Sequence, residues 1–310
     1  MNKTRIEWCD YTWNPLTGCL HGCPYCYARR MARRFCTNEH GHEGPLAPCD
    51  GECHACSEMD GIEFLGDNLR IARKGEGPFP YGFMPTLHRY RLEEPAHKAK
   101  SAVIFVCSMA DLFGEWVPDE WIGEVLTACQ AAPQHQYIFL TKNPRRYEQL
   151  AHVEKLPSLP NFWYGNSVTS QADAYIPRIR ANRFLSIEPL LKPIAMYKTW
   201  DCHICQVVPP QSYGRGEHRH LGHPAQGPSH YQCGGNGMAP DWVIIGAETG
   251  NRKEKVTPAA EWIKALAAEC KEYRIPVFMK DSVAEIIAPK KLQRELPPGI
   301  VLHTKGGRDQ

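Results

Sequence analysis

The chain has 310 residues, is 43% hydrophobic and carries a formal net charge of +2. That length suits one large α/β barrel or two ordinary domains, and so small a charge leaves any affinity for nucleic acid to local patches. No apolar run approaches the roughly 18 residues of a membrane span, and MNKTRIEWCD has no signal-peptide core, so a cytoplasmic protein with no membrane partner is expected.

Residues 5–16, RIEWCDYTWNPL, mix aromatic and β-branched side chains and predict a first strand ending near Leu16. TGCLHGCPYCYARRMARRF follows, with thiols at Cys19, Cys23 and Cys26. Three thiolates this close can wrap one face of a cubane [4Fe–4S] cluster and leave one iron without a protein ligand. An open coordination position is the mark of a catalytic metal site. Half of a zinc site, or a thiol cluster stapling a loop, is the alternative. Gly18 and Gly22 permit tight turning, and Pro24 stiffens the approach to the last thiol. Tyr27, Met31 and Phe35 then recur at helical spacing and predict an apolar stripe, flanked by Arg29, Arg30, Arg33 and Arg34. These 35 residues form the first segment: strand, thiol loop, helix.

Residues 36–100 read as a Cys-rich insertion, with loop-forming Gly and Pro. Cys49, Cys53 and Cys56 repeat the spacing without an aromatic before the last thiol. With Cys36 or a nearby histidine they predict a closed zinc site or an auxiliary iron–sulfur cluster. Residues 101–192 alternate strand and helix. The strand-forming runs are AVIFVC, QYIFLT, NFWYGNSVT and RFLSIE. A helix is expected over 119–132 and a weaker one over 172–181, interrupted by Pro177. Residues 193–240 break that rhythm and hold Cys202, Cys205 and Cys233 among several histidines, a pattern that predicts zinc. Residues 241–310 resume with DWVIIGAETG, a helix capped by Thr257 with Pro258 at its first position, and a final strand, IPVFMKDS. The isolated Cys107, Cys129 and Cys270 are expected to be buried.

Alternating strands and helices imply a parallel sheet with right-handed crossovers, and about seven strands suit a full or partial (β/α) barrel. Polar residues gather where the strands end: Ser108, Asp111, Thr141, Lys142, Asn166, Ser167, Glu188, Glu248, Lys280 and Asp281. In a barrel that rim is where ligands bind.

The thiol spacing with Tyr25 before the third cysteine resembles the signature of the radical S-adenosylmethionine (SAM) enzymes. IEWCDYTWNPLTGC, CPYCYA, FLTKNPRRY, RFLSIEPLL and DWVIIGAETG occur in the order of a phage-associated, radical-SAM-like family of unknown function, named after phage gene products thirty-seven and sixty-eight. The final strand departs from that family by continuing as Lys280-Asp281-Ser282. The resemblance implies a barrel of the radical SAM type, with Cys19, Cys23 and Cys26 as ligands of a [4Fe–4S] cluster. It also implies SAM contacts at Ser108, Asp111, Ser167, Glu188 and Glu248, and an electron donor such as flavodoxin or ferredoxin. The substrate expected is nucleic acid or a modified base. The alternatives are a radical SAM enzyme that modifies a protein, and a non-catalytic zinc or iron–sulfur protein that binds nucleic acid.

Overall fold

The computed structural model describes residues 1–35, 69–195 and 239–303. Cys36, Cys49, Cys53, Cys56, Cys202, Cys205 and Cys233, with the two zinc sites expected of them, lie outside the described residues. The architecture is mixed α/β, built on a large, mostly parallel sheet. Its strands are β1 (Asn2–Lys3), β2 (Tyr11–Trp13), β6 (Val103–Val106), β7 (Gln136–Thr141), β8 (Phe162–Val168), β9 (Asn182–Ile187), β10 (Trp242–Ile245) and β11 (Val277–Met279). They follow one another in that order across the sheet. A small second sheet has the order β3 (Leu16–Thr17), β5 (Thr86–Leu87), β4 (Arg70–Ile71). The helices are α1 (Tyr27–Phe35), α2 (Asp119–Gln130), α3 (Arg145–His152), α4 (Ala260–Glu272) and α5 (Ala284–Ile287). Among the described residues no helix is long and apolar enough to cross a membrane.

The chain divides into two compact units, Met1–Gly165 with Gly299–Gln310, and Asn166–Pro298. In the first, β2 lies parallel to β6, with Trp13 beside Val106, and β6 lies parallel to β7. VIFV and QYIFLT form these strands because their β-branched and aromatic side chains fill both faces of a covered parallel sheet. Phe113, Phe139, Tyr147 and Tyr164 pack edge and face against one another beside them. Trp121, Ile122, Val125, Leu126 and Cys129 form the buried face of α2. Asp10 ties the unit together, since its carboxylate accepts the N–H groups of Val103 and His303.

In the second unit, Val243 and Ile245 of β10 sit between Leu185 and Ile187 of β9 and Val277 and Met279 of β11, all parallel. Ile263, Leu266 and Cys270 of α4 join the same core. Cys107, Cys129 and Cys270 are buried, as their isolation implied.

Four local expectations are corrected. The first strand is split, because Asn14 and Pro15 carry the chain from the main sheet into the small one, and proline cannot extend a ladder. Tyr27 is 59% exposed, and among the described side chains of α1 the buried one is Ala32, so the stripe does not face inward through Tyr27. Residues 172–181 hold only a 3₁₀ turn, Gln171–Asp173. Thr169 and Ser170 hydroxyls bond the Asp173 carboxylate, and the Asn166 amide reaches the Asp173 and Tyr175 carbonyls, so side chains occupy groups a helix would use. Helix α4 starts at Ala260, after an extended Ala259, rather than at Pro258.

His88 secures the small sheet. It is fully buried, shares a hydrogen bond of 2.8 Å with Thr17 and another of 3.2 Å with Tyr90, and its N–H donates to Pro15 at 2.7 Å. Burial, then the Arg91 charge, lowers its pKa to about 3. Between the ordinary value of 6.5 and about 3, the unfolded chain therefore binds a proton that the folded one refuses. Stability from this group is complete above pH 6.5 and is lost as pH falls toward 3, at up to about 1.4 kcal/mol per pH unit. Denaturant titrations from pH 7 to 4 should show a shallower acid loss for His88→Gln than for the wild type. Equal slopes would remove His88 from this role.

Candidate metal centre

The thiol loop is held at its entrance by main chain. The Gly18 N–H donates to the Met109 carbonyl at 3.0 Å, and the Cys19 N–H donates to the Phe83 carbonyl at 3.1 Å. Gly18 also bridges to Ala110 in the turn after β6. The turn itself bends at Cys107, whose φ is 57° and whose N–H donates to Trp13. Gly18 has φ +83°, and a Cβ there would lie 2.1 Å from the Met84 carbonyl oxygen. Gly22 has φ +69° with nothing near a Cβ, so it supplies only the turn. At the exit, Cys26 N–H donates to Cys23 and Arg30 N–H to Cys26, which winds the loop into α1.

All three cysteines are free and half-buried. The Arg29 N–H reaches Cys26 Sγ at 3.3 Å. Burial pushes the Cys19 thiol up to about 12, the His21 N–H works against that, and the charges of Asp111, Cys26 and Cys23 add to the rise. As thiolates, Cys23 and Cys26 would each oppose ionisation of Cys19. Among the described residues no three His, Cys, Asp or Glu side chains stand as a ready-made metal-binding group.

Around the loop lies a polar shell drawn from distant strand ends. Asp111 is buried, and its Oδ2 accepts from the Lys142 N–H at 2.9 Å and pairs with His21 Nε2 at 2.7 Å. Its Oδ1 accepts the Phe113 N–H at 3.1 Å. His21 stands edge-on to Trp116. Lys142 Nζ donates to the Tyr25 hydroxyl at 3.1 Å. Asn14 Oδ1 accepts the Ser108 hydroxyl at 3.1 Å and the Met109 N–H at 3.0 Å. Ser108 and Asp111 are thus brought beside the thiol loop. His21 and Asn14 were missed by sequence reasoning. His21 had a signal, an imidazole placed between two thiols, whereas Asn14 had none.

Ser167, Glu188 and Glu248 belong to the second unit. There Glu188 pairs with Lys280 and packs against Gly246, where a Cβ would meet its side chain at 3.0 Å. Glu248 is buried and held by Arg252 through two bonds of 2.7 and 2.8 Å, and it accepts the Val256 N–H. The Arg252 bonds hold its carboxyl below the usual range against the cost of burial.

Residues 3–294 match the model of the family described as "Protein of unknown function (DUF5131)". The chain belongs to that family. No curated protein and no solved structure matches it. The family match spans both units and the whole thiol loop.

The two loop glycines carry different constraints. Gly22→Ala should cost about 1 kcal/mol, the price of a left-handed backbone for an L-residue. Gly18→Ala adds a main-chain collision to that cost and should lose at least about 2 kcal/mol. Thermal melts of the two variants check the difference, and equal losses would mean that the contact with Met84 is not a constraint.

Proposed function

We propose that the chain is a radical SAM enzyme, with Cys19, Cys23 and Cys26 holding a [4Fe–4S] cluster. The observation that carries this reading is that three free thiols stand in one loop pinned by main-chain bonds, with the Arg29 N–H donating to Cys26 Sγ at 3.3 Å. Neutral structural thiols are weak acceptors, whereas cluster thiolates gain from such donors. The set of soft sulfur ligands fits iron–sulfur chemistry. Cys19, Cys23 and Cys26 would hold such a cluster, which with SAM and an electron from a flavodoxin or ferredoxin would supply 5′-deoxyadenosyl radical chemistry. The protein's own part is to hold the loop, through Gly18 and Asp111, and to keep water from the reacting centre. Ser108, whose hydroxyl oxygen retains acceptor capacity, is the strand-end group assigned to SAM in the first unit. The reading extends to a full or partial barrel of the radical SAM type and to a reducing, cytoplasmic setting.

For the substrate we favour nucleic acid or a modified base. Helix α1 has no acidic residue, and it carries the exposed Tyr27 together with Arg30, Arg33 and Arg34. Exposed aromatics beside cations suit stacked bases and phosphates. A second reading is zinc held by the three thiols and His21. It is favoured by the Asp111 carboxylate behind the imidazole, the partner that a metal-bound histidine commonly has.

Anaerobic reconstitution with iron and sulfide, followed by dithionite and SAM, should yield 5′-deoxyadenosine. Cys19→Ala, Cys23→Ala and Cys26→Ala should each abolish it. Protein that takes up zinc but no iron, and leaves SAM intact, would establish the second reading and reject the first.

A further inference from the structure

Helix α1, YARRMARRF, carries four arginines and no acidic residue in its 9 positions. At about 100° per residue, Tyr27, Arg30, Arg33 and Arg34 fall within an arc of roughly 120°, on the side of the helix opposite the buried Ala32. Tyr27 is exposed, and so are Arg33 and Arg34. Arg29 is committed to the fold, with its guanidinium 5.3 Å from the centre of the Phe83 ring and donating to the Cys19 carbonyl at 3.5 Å. The row of charge works against its own helix. Arg30 has like-charged neighbours three and four positions on, an arrangement that destabilises a helix, and α1 holds no carboxylate to answer them. An anion laid along the arc would relieve that repulsion. From Tyr27 to Arg34 the face is about 10 Å long, which at about 3.4 Å per phosphate along one strand is room for about three phosphates.

We propose that this face of α1 binds a single-stranded nucleic acid, with an unpaired base stacked on Tyr27 and successive phosphates held by Arg30, Arg33 and Arg34. The inference rests on the reading above that the substrate is nucleic acid, and it names the form of that substrate. A duplex turns its phosphates outward and keeps its base faces inside, so it would engage the arginines and leave the ring idle. An acidic peptide would likewise engage the arginines alone. An unpaired base offers a free face, which an exposed aromatic ring accepts whatever the base, and the cations beside it track the backbone. Tyr27 follows Cys26 directly, so the stacked base would stand at the end of α1 that adjoins the thiol loop. The helix thus combines the two elements of a single-strand site, a stacking platform and a row of cations, on one side.

The test is fluorescence anisotropy of the full chain with labelled oligothymidine and oligouridine, whose comparison separates DNA from RNA. The matching duplex is run beside them, polyglutamate serves as a competitor, and melting temperature is measured on the same samples. Tyr27→Ala should weaken single-strand binding at least about fivefold, the low end of what one stacked base contributes. Tyr27→Phe keeps the ring and should retain most of the affinity. The double change Arg33→Gln with Arg34→Gln should flatten the slope of log affinity against log salt by about 1.4, at about 0.7 per phosphate, and should leave the melting temperature equal or higher. Lys290→Gln with Lys291→Gln removes the same charge from exposed positions after α5 and should match the wild type. Single-strand binding that none of the α1 changes alters overturns the inference alone and leaves the nucleic-acid reading standing. A duplex bound as tightly as the single strand, or polyglutamate that displaces the strand as well as unlabelled strand does, also overturns it. So does weaker binding that comes with a lower melting temperature, because the arginines would then be structural. A wild type that binds no nucleic acid rejects that reading and the inference with it.

Discussion

The arrangement of the first unit depends on how closely Gly18 approaches its neighbours. Its N–H is committed to the turn after β6, and its α-carbon lies against the Met84 carbonyl. A side chain at this position would push the loop away from one of those segments. Because both contacts are main chain, neither can yield by changing a rotamer. The position of Cys19 follows from them, since its N–H is bonded to Phe83 one residue upstream of Met84. The small sheet adds a side-chain anchor one residue before Gly18, with Thr17 bonded to the buried His88.

Electrostatics supplies the second constraint. Asp111 is a buried carboxylate whose two oxygens take donors from Phe113, Lys142 and His21. A buried charge is tolerated when it is this fully satisfied. Its negative field also raises the Cys19 thiol, so the same group that orders the loop opposes a bare thiolate within it. A cationic metal group would relieve that opposition, as metals deprotonate the thiols they bind. Lys142 belongs to this balance, since burial lowers its pKa while Tyr25, Cys23 and Asp111 more than restore it.

The parts of this structure that were readable in the sequence are those with local causes. VIFV, QYIFLT and WVII form strands where a continuous apolar run predicts them, because both faces of those strands are covered. The thiol loop was readable because its cysteine spacing and its glycines lie within a few residues of one another. Misreadings arose where distant atoms decided the outcome. Tyr27 fits a helical stripe by spacing, yet the body of the protein meets α1 at Ala32. The stretch after β8 carries a helical suggestion that the side chains of Asn166, Thr169 and Ser170 override. The pairs His21–Asp111 and Lys142–Tyr25 join residues 90 and 117 positions apart, so only the register of β6 and β7 reveals them. Glu188, Glu248 and Lys280 were readable as polar strand ends, but the pairings of Glu188 with Lys280 and of Glu248 with Arg252 were not.

The central claim is that three cysteines of one loop hold a cluster with one iron left open to SAM. Mössbauer spectroscopy of protein reconstituted with ⁵⁷Fe, before and after SAM is added, tests it most directly. Three protein ligands leave one iron chemically distinct, so SAM should change the signal of that iron and leave the others as they were. A spectrum that SAM does not alter, or protein that retains no iron, would contradict the account.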